Sequence, residues 1–418
     1  MIKTLREAWG IPDLRRKIIY MLLLLLIYRL GTYIPVPFVD TAQLQSLVGE
    51  GGIFGLFDIL SGGNFSNFTI FAMGITPYIN ASIIMNLLTF AIPALENLSK
   101  EGEEGRKKIQ QYTTYLTIAL AVIQGLGLTL SWGDILTEKT FLTVFTVVLI
   151  ITAGTTLLMY IGNLITENGI GNGISLIIFI SIVSRIPSAI STMYEYLQIG
   201  TINIIQLLLL IICIVAAVVG VVAITEGQRK IPVQYAKRIV GRKQYGGQST
   251  FIPLRINMAG VIPIIFATSI TLFPATIANF FPSSGFAQWV SKYLAWGTWT
   301  TTILYVILIL AFTYFYTAVT FSPYDIADNL KKQGGYIPGI RPGKPTSDYL
   351  TKIMNRLTLF GGIFLAAIAI IPIIAGNLLG VSMQFGGTSL LIIVGVALDT
   401  VKQLESEMTM RQHSGFLK

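Results

Sequence analysis

The chain has 418 residues, of which 53% are hydrophobic and 12% are charged, and its formal net charge is +9. A soluble chain would carry about 25% charged residues, so this composition excludes an ordinary soluble protein and indicates a polytopic membrane protein. The single cysteine, Cys213, excludes a disulfide framework. With only one histidine, His413, a metal site or a histidine-based catalytic site is not expected, and neither is a cofactor.

The first apolar stretch, Ile18–Leu30, follows three basic residues and could be mistaken for a signal peptide. The stretch after it, Pro35-Val36-Pro37-Phe38, lacks the small residues of a cleavage site, and many more apolar stretches follow. We therefore interpret it as a retained first helix.

Crossing a bilayer as a helix takes about 20 apolar residues. Ten stretches of the chain meet this requirement, which predicts an all-α membrane protein with ten transmembrane helices. The predicted spans are 18–36, 68–93, 112–131, 142–162, 173–193, 203–225, 258–275, 302–322, 355–375 and 386–402.

The basic residues divide unevenly between the two sides of this ten-span topology. With a cytoplasmic N-terminus, 25 Lys and Arg residues fall on the cytoplasmic side, and Arg29 lies within span one. Only Lys139, Arg185 and Lys292 fall on the other side. Since cytoplasmic loops carry an excess of basic residues, this distribution predicts that both termini are cytoplasmic.

One short pattern occurs twice, at Gly74–Ile79 and at Gly260–Ile265, and each copy has Gly first, Pro fourth and Ile sixth. A Gly and a Pro weaken and bend a membrane helix, so spans two and seven are expected to be bent. The two spans lie five apart in opposite orientation, as in an inverted repeat. The pattern predicts two halves, 1–202 with spans one to five and 203–418 with spans six to ten.

Segment 53–66 is apolar enough to be buried but too short to cross a membrane, and Gly62-Gly63 separates it from span two. Broken backbone at membrane depth is tolerated where protein surrounds it or where it lines a cavity. A surface-lying amphipathic loop is the alternative.

Two long loops, 226–257 and 323–354, are predicted to be cytoplasmic, and their Gly and Pro residues favour turns over long helices. Their basic residues set the orientation and attract anionic lipid, at roughly 1 kcal/mol per residue near the surface. They are also suited to docking an acidic protein or RNA phosphate.

Isoleucines next to the repeated pattern indicate an apolar constriction, because stiff β-branched side chains hold a defined aperture and can exclude water and ions. Ionisable residues within the spans are few: Arg29, Glu167 and Asp399. This scarcity argues against the alternative function, a secondary transporter for a small solute. An intramembrane enzyme is a third possibility, and no nucleophile–base or metal constellation supports it.

Several stretches together resemble the SecY/Sec61α family of protein-translocation channels, over nearly the whole chain. They are Met73–Ile84, Gly169–Ser175, Gln248–Thr250, Asn257–Pro263, Ala327–Lys332, Pro338–Gly343 and Gly386–Leu391.

The resemblance implies a clamshell of two five-helix halves around a central pore, closed by a ring of isoleucines and by a plug made of segment 53–66. Spans two and three would face spans seven and eight across a lateral gate. The implied ring is Ile75, Ile79, Ile174, Ile178, Ile265 and Ile392. The implied plug residues are Phe54, Leu56, Phe57, Ile59, Leu60, Ser61, Gly62 and Gly63.

The resemblance also implies a function without catalysis, namely passing unfolded secretory proteins across the bacterial cytoplasmic membrane and releasing membrane helices sideways into lipid. The implied partners are the SecE and SecG subunits, the SecA ATPase, the ribosome, signal sequences and translocating polypeptides. SecA or the ribosome would dock on the two loops, at Arg229, Lys230, Lys237, Arg238 and Arg341.

Overall fold

A computed structural model describes most of the chain. The described residues are 2–41, 44–45, 58, 61–131, 136–138, 140–200, 202–235, 238–240, 243–245, 249–280, 284–294, 298–379 and 387–414. All structural statements below concern these residues.

The first half of the described chain is helical, apart from the irregular segment before span two. Its helices are α1 (Ile2–Trp9), α2 (Pro12–Gly31), α3 (Thr76–Ala91), α4 (Pro93–Lys100), α5 (Glu103–Ser131), α6 (Phe141–Asn168), α7 (Gly173–Val183) and α8 (Ile186–Ile199).

The second half combines helices with short strands. In chain order they are α9 (Ile204–Glu226), β1 (Gln228–Tyr235), β2 (Arg238–Val240), β3 (Lys243–Tyr245), β4 (Ser249–Arg255), α10 (Ile262–Phe280), α11 (Gly285–Tyr293), α12 (Trp299–Thr320), α13 (Pro323–Lys332), β5 (Gly335–Tyr336), α14 (Lys344–Leu379) and α15 (Gly387–Ser414).

Every one of the ten predicted spans contains a described helix, but not all of these helices are long and apolar enough to span a membrane on their own. Seven qualify among the described residues, or eight if α3 and α4 count as one span bent by 99°. The bend falls at Ile92, whose backbone is extended because Pro93 follows it. Helix α2 ends at Gly31, short of the predicted residue 36, and Pro35 then pairs with Thr69. The count of ten remains a prediction.

The expected bends at the repeated pattern are wrong in detail, since both copies start helices instead of bending them. Gly74 and Gly260 have left-handed backbones, with φ of 55° and 64°. Helices α3 and α10 begin two residues later, and Pro77 and Pro263 are their second residues. Proline suits the first turn because its missing N–H would have no partner in the helix anyway.

The two long loops, 226–257 and 323–354, are more ordered than turn-rich loops, so the expectation of turns was incomplete. Strand β1 pairs antiparallel with β4 in the first loop and with β5 from the second, giving a three-stranded sheet in the order β4-β1-β5. The second loop contains α13, whose N-terminus is capped by Ser322 accepting a hydrogen bond from the Asp325 N–H. Capping and a polar, Lys-ended last turn favour helix here.

The main core is one hydrophobic cluster that draws on both halves, here called the central cluster. It includes Leu25, Tyr28, Phe71, Ile83, Leu158, Ile177, Val221, Val261, Ile264, Tyr305, Leu365 and Leu398. A smaller cluster joins the two long loops through Ile231, Val233, Leu254, Leu330, Ile337 and Leu350. The loops therefore form one packed unit, here called the loop unit.

Candidate pore and its surroundings

All six isoleucines of the predicted ring belong to the central cluster or pack against it. Ile75, Ile79, Ile178 and Ile392 are 2–8% exposed and lie within the cluster. Ile174 and Ile265 are half-buried and pack against it. The structure therefore brings residues from positions 75 to 392 into a single apolar centre.

Two of these isoleucines have matching positions at two helix starts. Ile79 is the fourth residue of α3 and Ile265 the fourth residue of α10. Their backbone N–H groups donate to the carbonyls of Ile75 and Val261, at 3.0 and 3.3 Å. The repeated pattern thus places an isoleucine in the first turn of one helix from each half.

The other two ring helices, α7 and α15, begin at glycines where the backbone packs tightly. A Cβ on Gly173 would lie 2.0 Å from the carbonyl oxygen of Gly162, and a Cβ on Gly387 would lie 1.9 Å from that of Ile368. Only glycine permits such an approach. These contacts fix the starts of the helices that carry Ile174, Ile178 and Ile392.

The predicted plug is only partly described. Phe54, Leu56, Phe57, Ile59 and Leu60 lie outside the described residues. Ser61 is buried, and Gly62 packs closely on α7, since a Cβ there would lie 2.8 Å from Cα of Ser181. Gly62 and Gly63 have φ of 73° and 89°, which favours glycine at both positions.

Sequence reasoning missed a buried polar network next to this segment. The hydroxyls of Tyr28 and Ser181 share a hydrogen bond of 2.6 Å, and the Asn64 amide donates to the Tyr28 hydroxyl at 3.3 Å. The three residues are at most 2% exposed. Since buried polar groups stabilise a fold only when they are hydrogen-bonded, the network connects α2, α7 and the described part of segment 53–66.

An ion pair completes this region. Arg185 Nη2 lies 2.6 Å from Asp58 Oδ2, and the Asp58 side chain is 2% exposed. The sequence contains one indication that Arg185 has a special partner, because it is among the three basic residues on the non-cytoplasmic side of the predicted topology.

The predicted gate elements lie side by side. Helices α3 and α5 both pack against α10, and α10 packs against α12. Phe90 of α3 and Phe315 of α12 form an edge-to-face pair with ring centroids 5.7 Å apart. Phe266 of α10 contacts Phe312 and Tyr316 in the same geometry. Such aromatic pairs contribute about 0.5–1.5 kcal/mol each beyond their burial.

The described residues among the predicted docking residues belong to the two long loops. Arg229 and Lys230 are exposed on β1, and Lys230 Nζ lies 4.7 Å from the centroid of the Phe251 ring. Arg341 is exposed, and its carbonyl accepts a hydrogen bond from Thr346 at 2.8 Å. Arg238 lies in β2, while Lys237 is outside the described residues.

Sequence reasoning treated the two loops separately and missed that they pair. The hydroxyl of Tyr336 donates to Gln234 Oε1 at 3.0 Å, across the β1–β5 pairing. The alternation of Ile231 and Val233 with polar neighbours, matched by Ile252 and Leu254, was the available signal. The pairing brings Arg229, Lys230 and Arg341 onto one loop unit.

Known proteins resemble the chain in both sequence and fold. The sequence profile of the SecY family matches residues 69–401. Two relatives named protein translocase subunit SecY, from Bacillus subtilis and Streptomyces coelicolor, are 47% and 45% identical, and each comparison covers 100% of both chains.

Solved structures share the fold at lower identity. One, of a protein conducting channel, is 21% identical with a TM-score of 0.67 and covers 94% of this chain and 92% of that one. Another, of Sec61 in the canine ribosome-channel complex, is 20% identical with a TM-score of 0.63 and the same coverage. The protein is a membrane-embedded, mostly helical chain, and it belongs to the SecY family.

Proposed function

We propose that the chain forms the protein-conducting channel of a bacterial translocase, with the six isoleucines as its constriction. The observation that carries this proposal is the convergence of Ile75, Ile79, Ile174, Ile178, Ile265 and Ile392, from both halves, in the central cluster. A polypeptide can pass an apolar ring while ions are excluded, because an apolar constriction excludes water.

The two halves, 1–202 and 203–418, open as a clamshell along the gate formed by α3 and α5 against α10 and α12. The gate is apolar and aromatic, so an apolar segment in the pore is attracted toward lipid at about 25 cal/mol per Å² of apolar surface transferred. A sufficiently apolar segment therefore leaves sideways, and a polar one continues across the membrane.

Segment 53–66 acts as the plug of the resting channel. The described part of this segment supports the assignment, because Asp58, Ser61 and Asn64 are all buried. Asn64 bonds to Tyr28 of α2, and Asp58 pairs with Arg185 at the junction of α7 and α8. Release of this segment and separation of the halves form a two-state change that partners and signal sequences bias.

The loop unit, which contains β1, β4, β5 and α13, faces the cytoplasm. It docks the SecA ATPase or the ribosome through Arg229, Lys230, Lys237, Arg238 and Arg341. Likeness to the channel in a ribosome complex supports the ribosome as a partner. SecE and SecG are the expected companion subunits, and the basic surface also attracts anionic lipid. The chain resides in the bacterial cytoplasmic membrane with both termini cytoplasmic, and catalysis belongs to the partner.

The alternative, a secondary transporter for a small solute, has no support from the comparisons, since the relatives are named as translocase subunits. No observation of the described residues favours it over the channel.

A crosslink tests the channel proposal. The change Cys213→Ser removes the only native thiol and provides a background for a cysteine at position 79. A secretory precursor with one cysteine, stalled in reconstituted vesicles with SecA and ATP, should form an ATP-dependent disulfide with position 79.

A cysteine at position 209 is the matched control, because Leu209 lies on α9 with 65% of its surface exposed. It should not crosslink. Equal crosslinking at both positions, or none at 79 while import proceeds, would mean that the polypeptide takes another path.

A further inference from the structure

Helix α11 (Gly285–Tyr293) lies in the connection between α10 and α12. Helix α10 follows the loop unit in the chain, and α12 returns to the loop unit through α13. Because α10 and α12 pack against each other, α11 lies at the ends of both helices that point away from the loop unit. The connection from 281 to 298 contains a single charged residue, Lys292, and no acidic residue.

The apolar side of α11 is only partly covered by protein. Ala287 and Val290 are buried and form a small cluster with Ala278 of α10. The rest of this side consists of three aromatic residues that are each 42–52% exposed: Phe286, Trp289 and Tyr293. At 3.6 residues per turn, these positions lie next to one another and next to the buried pair. They form one exposed patch, here called the aromatic face.

The composition of the aromatic face differs from that of a spanning helix. Helix α9, the most apolar span, contains no aromatic residue. Its large exposed residues are all aliphatic, as hydrocarbon requires. Trp and Tyr are instead enriched where the hydrocarbon meets water, because their rings are apolar and their N–H and O–H groups are polar. The aromatic face therefore suits the headgroup level of a membrane.

The charge of α11 borders the aromatic face. Lys292 is exposed, and its Nζ lies 5.3 Å from the centroid of the Tyr293 ring. Gln288 and Ser291 are exposed as well and complete the polar side of the helix. An aromatic face next to a lysine is typical of a helix that lies in the plane of a membrane surface. In that position the ammonium group reaches the lipid phosphates while its stem covers apolar surface.

Helix α11 is fixed to the start of α12. The Tyr293 carbonyl accepts hydrogen bonds from the hydroxyls of Thr298 and Thr301, at 3.2 and 3.3 Å. The first residue of α12, Trp299, is 75% exposed at the same end of the helix pair. The aromatic face thus continues onto a helix that is long and apolar enough to span a membrane.

We propose that α11 binds the anionic phospholipid surface on the side of the membrane opposite the loop unit. Phe286, Trp289 and Tyr293 insert at the headgroup level, and Lys292 binds lipid phosphates. Lipid is the occupant because the aromatic face is continuous with a spanning helix and carries a positive charge without an acidic one. Since α11 contacts both α10 and α12, the lipid surface fixes the depth of two gate helices.

Depth-dependent fluorescence quenching tests this inference. The chain is given phenylalanine in place of Trp9, Trp132, Trp296 and Trp299, so that Trp289 alone remains. It is assembled with tryptophan-free partner subunits in vesicles of phosphatidylcholine and phosphatidylglycerol. An interfacial helix lies at the boundary of headgroups and acyl chains, so lipid brominated close to the headgroup should quench Trp289 about twofold more than lipid brominated near the chain end. Iodide in the water should quench it weakly.

Two other single-tryptophan chains calibrate the depth. Leu209→Trp, on the exposed side of α9, should be quenched more by the deeply brominated lipid. Phe251→Trp, exposed on β4 of the loop unit, should be quenched by iodide and by neither lipid. If the single-tryptophan chain does not accumulate, the difference in quenching between the unchanged chain and Trp289→Phe gives the same quantity.

The role of Lys292 is tested by the lipid headgroup. Brominated phosphatidylglycerol should quench Trp289 more than brominated phosphatidylcholine at the same mole fraction, because the ammonium attracts anionic lipid. Lys292→Gln should abolish this difference, whereas Lys230→Gln on the loop unit should leave it unchanged. Equal quenching by the two lipids in the unchanged chain would overturn the anionic surface as the occupant.

Three further results would overturn the proposal. Strong quenching by iodide would place α11 in water. Protection from both iodide and lipid that requires the partner subunits would mean that a protein covers the aromatic face. Lipid quenching that falls as the ratio of protein to lipid rises would mean that a second copy of the chain covers it. These readouts involve no transport, so their failure leaves the channel proposal standing.

Discussion

The two halves of the molecule start their candidate pore helices in the same way, but different polar contacts stabilise these helices in each half. Each half offers one helix started by the Gly-Pro pattern, α3 or α10, and one started by a tightly packed glycine, α7 or α15. In the first half, the Tyr28–Ser181–Asn64 network and the Asp58–Arg185 pair connect α2, α7 and the α7–α8 junction to the described part of segment 53–66.

The second half is held differently among the described residues. Thr268 of α10 shares a buried hydrogen bond of 3.0 Å with Tyr305 of α12, and Lys402 of α15 pairs with Glu226 of α9 at 2.8 Å. These contacts join helices to helices. The repeated sequence pattern therefore sets matching helix starts in the two halves, while buried polar groups connect the first half to the described part of segment 53–66.

The largest effect on stability is expected where added atoms would overlap backbone. Gly173→Ala and Gly387→Ala each force a Cβ to within 2.0 Å or less of a carbonyl oxygen. We expect each to lower the free energy of unfolding by at least about 1–3 kcal/mol, the usual cost of overpacking. Thermal unfolding of the detergent-solubilised chain, followed by circular dichroism, measures this.

Gly285→Ala is the control for both changes, since Gly285 also begins a helix and has no atom within 4 Å of an added Cβ. If Gly173→Ala and Gly387→Ala lower the free energy of unfolding no more than Gly285→Ala does, the two glycines do not fix the starts of α7 and α15. If only one of them is destabilised, the parallel between the halves fails at that helix.

A smaller and equal effect is expected at the two copies of the repeated pattern. Gly74 and Gly260 have room for a Cβ, with the nearest atoms 3.5 and 4.0 Å away. Their left-handed backbones remain unfavourable for alanine, at roughly 1–2 kcal/mol. Gly74→Ala and Gly260→Ala should therefore lower the unfolding temperature by similar amounts. A large difference between them would show that the two helix starts are not equivalent.

The smallest effect on stability is expected on the loop unit. Lys230→Met removes a cation–π contact with Phe251, which at an exposed site contributes about 0.5–1 kcal/mol. Export driven by SecA should nevertheless fall clearly, because the changed residue lies on the proposed docking surface.

Lys100→Met is the matched control, as Lys100 is an exposed lysine at the end of α4, on the same side of the predicted topology as Lys230. Equal export by the two variants would remove Lys230 from the docking surface. Loss of export without loss of unfolding temperature would locate the function of Lys230 in partner binding.

The apolar spans could be predicted from sequence, because length, hydropathy and charge distribution depend on the composition of each segment. The six isoleucines follow from the resemblance to the SecY/Sec61α family, and their role as a ring stays a prediction. The helix starts at Gly74 and Gly260 could not, since Gly and Pro are compatible with either a bend or a beginning. The choice depends on whether surrounding protein satisfies the backbone before residue 76, as the bond from the Ile70 N–H to the Ile34 carbonyl does at 3.0 Å.

The contacts between distant segments could not be predicted from the sequence either. Asp58 and Arg185 are 127 positions apart, and no local periodicity relates them. The pairing of β1 with β5 likewise joins Gln234 to Tyr336 across two membrane helices. Such contacts depend on tertiary geometry. The sequence does show that Arg185 is a basic residue on the predicted non-cytoplasmic side, where such residues are few.

Resting ion conductance tests the central claim, that helix starts from both halves close one pore. Ile79→Gly combined with Ile265→Gly should raise the leak of the unoccupied channel in planar bilayers well above the unchanged protein. Ile205→Gly combined with Ile212→Gly on α9 is the control, because these isoleucines are 76% and 59% exposed. Each change to glycine has the same helix-propensity cost there as at positions 79 and 265. A leak confined to the first pair is the predicted result, and unchanged conductance in that pair would contradict the account.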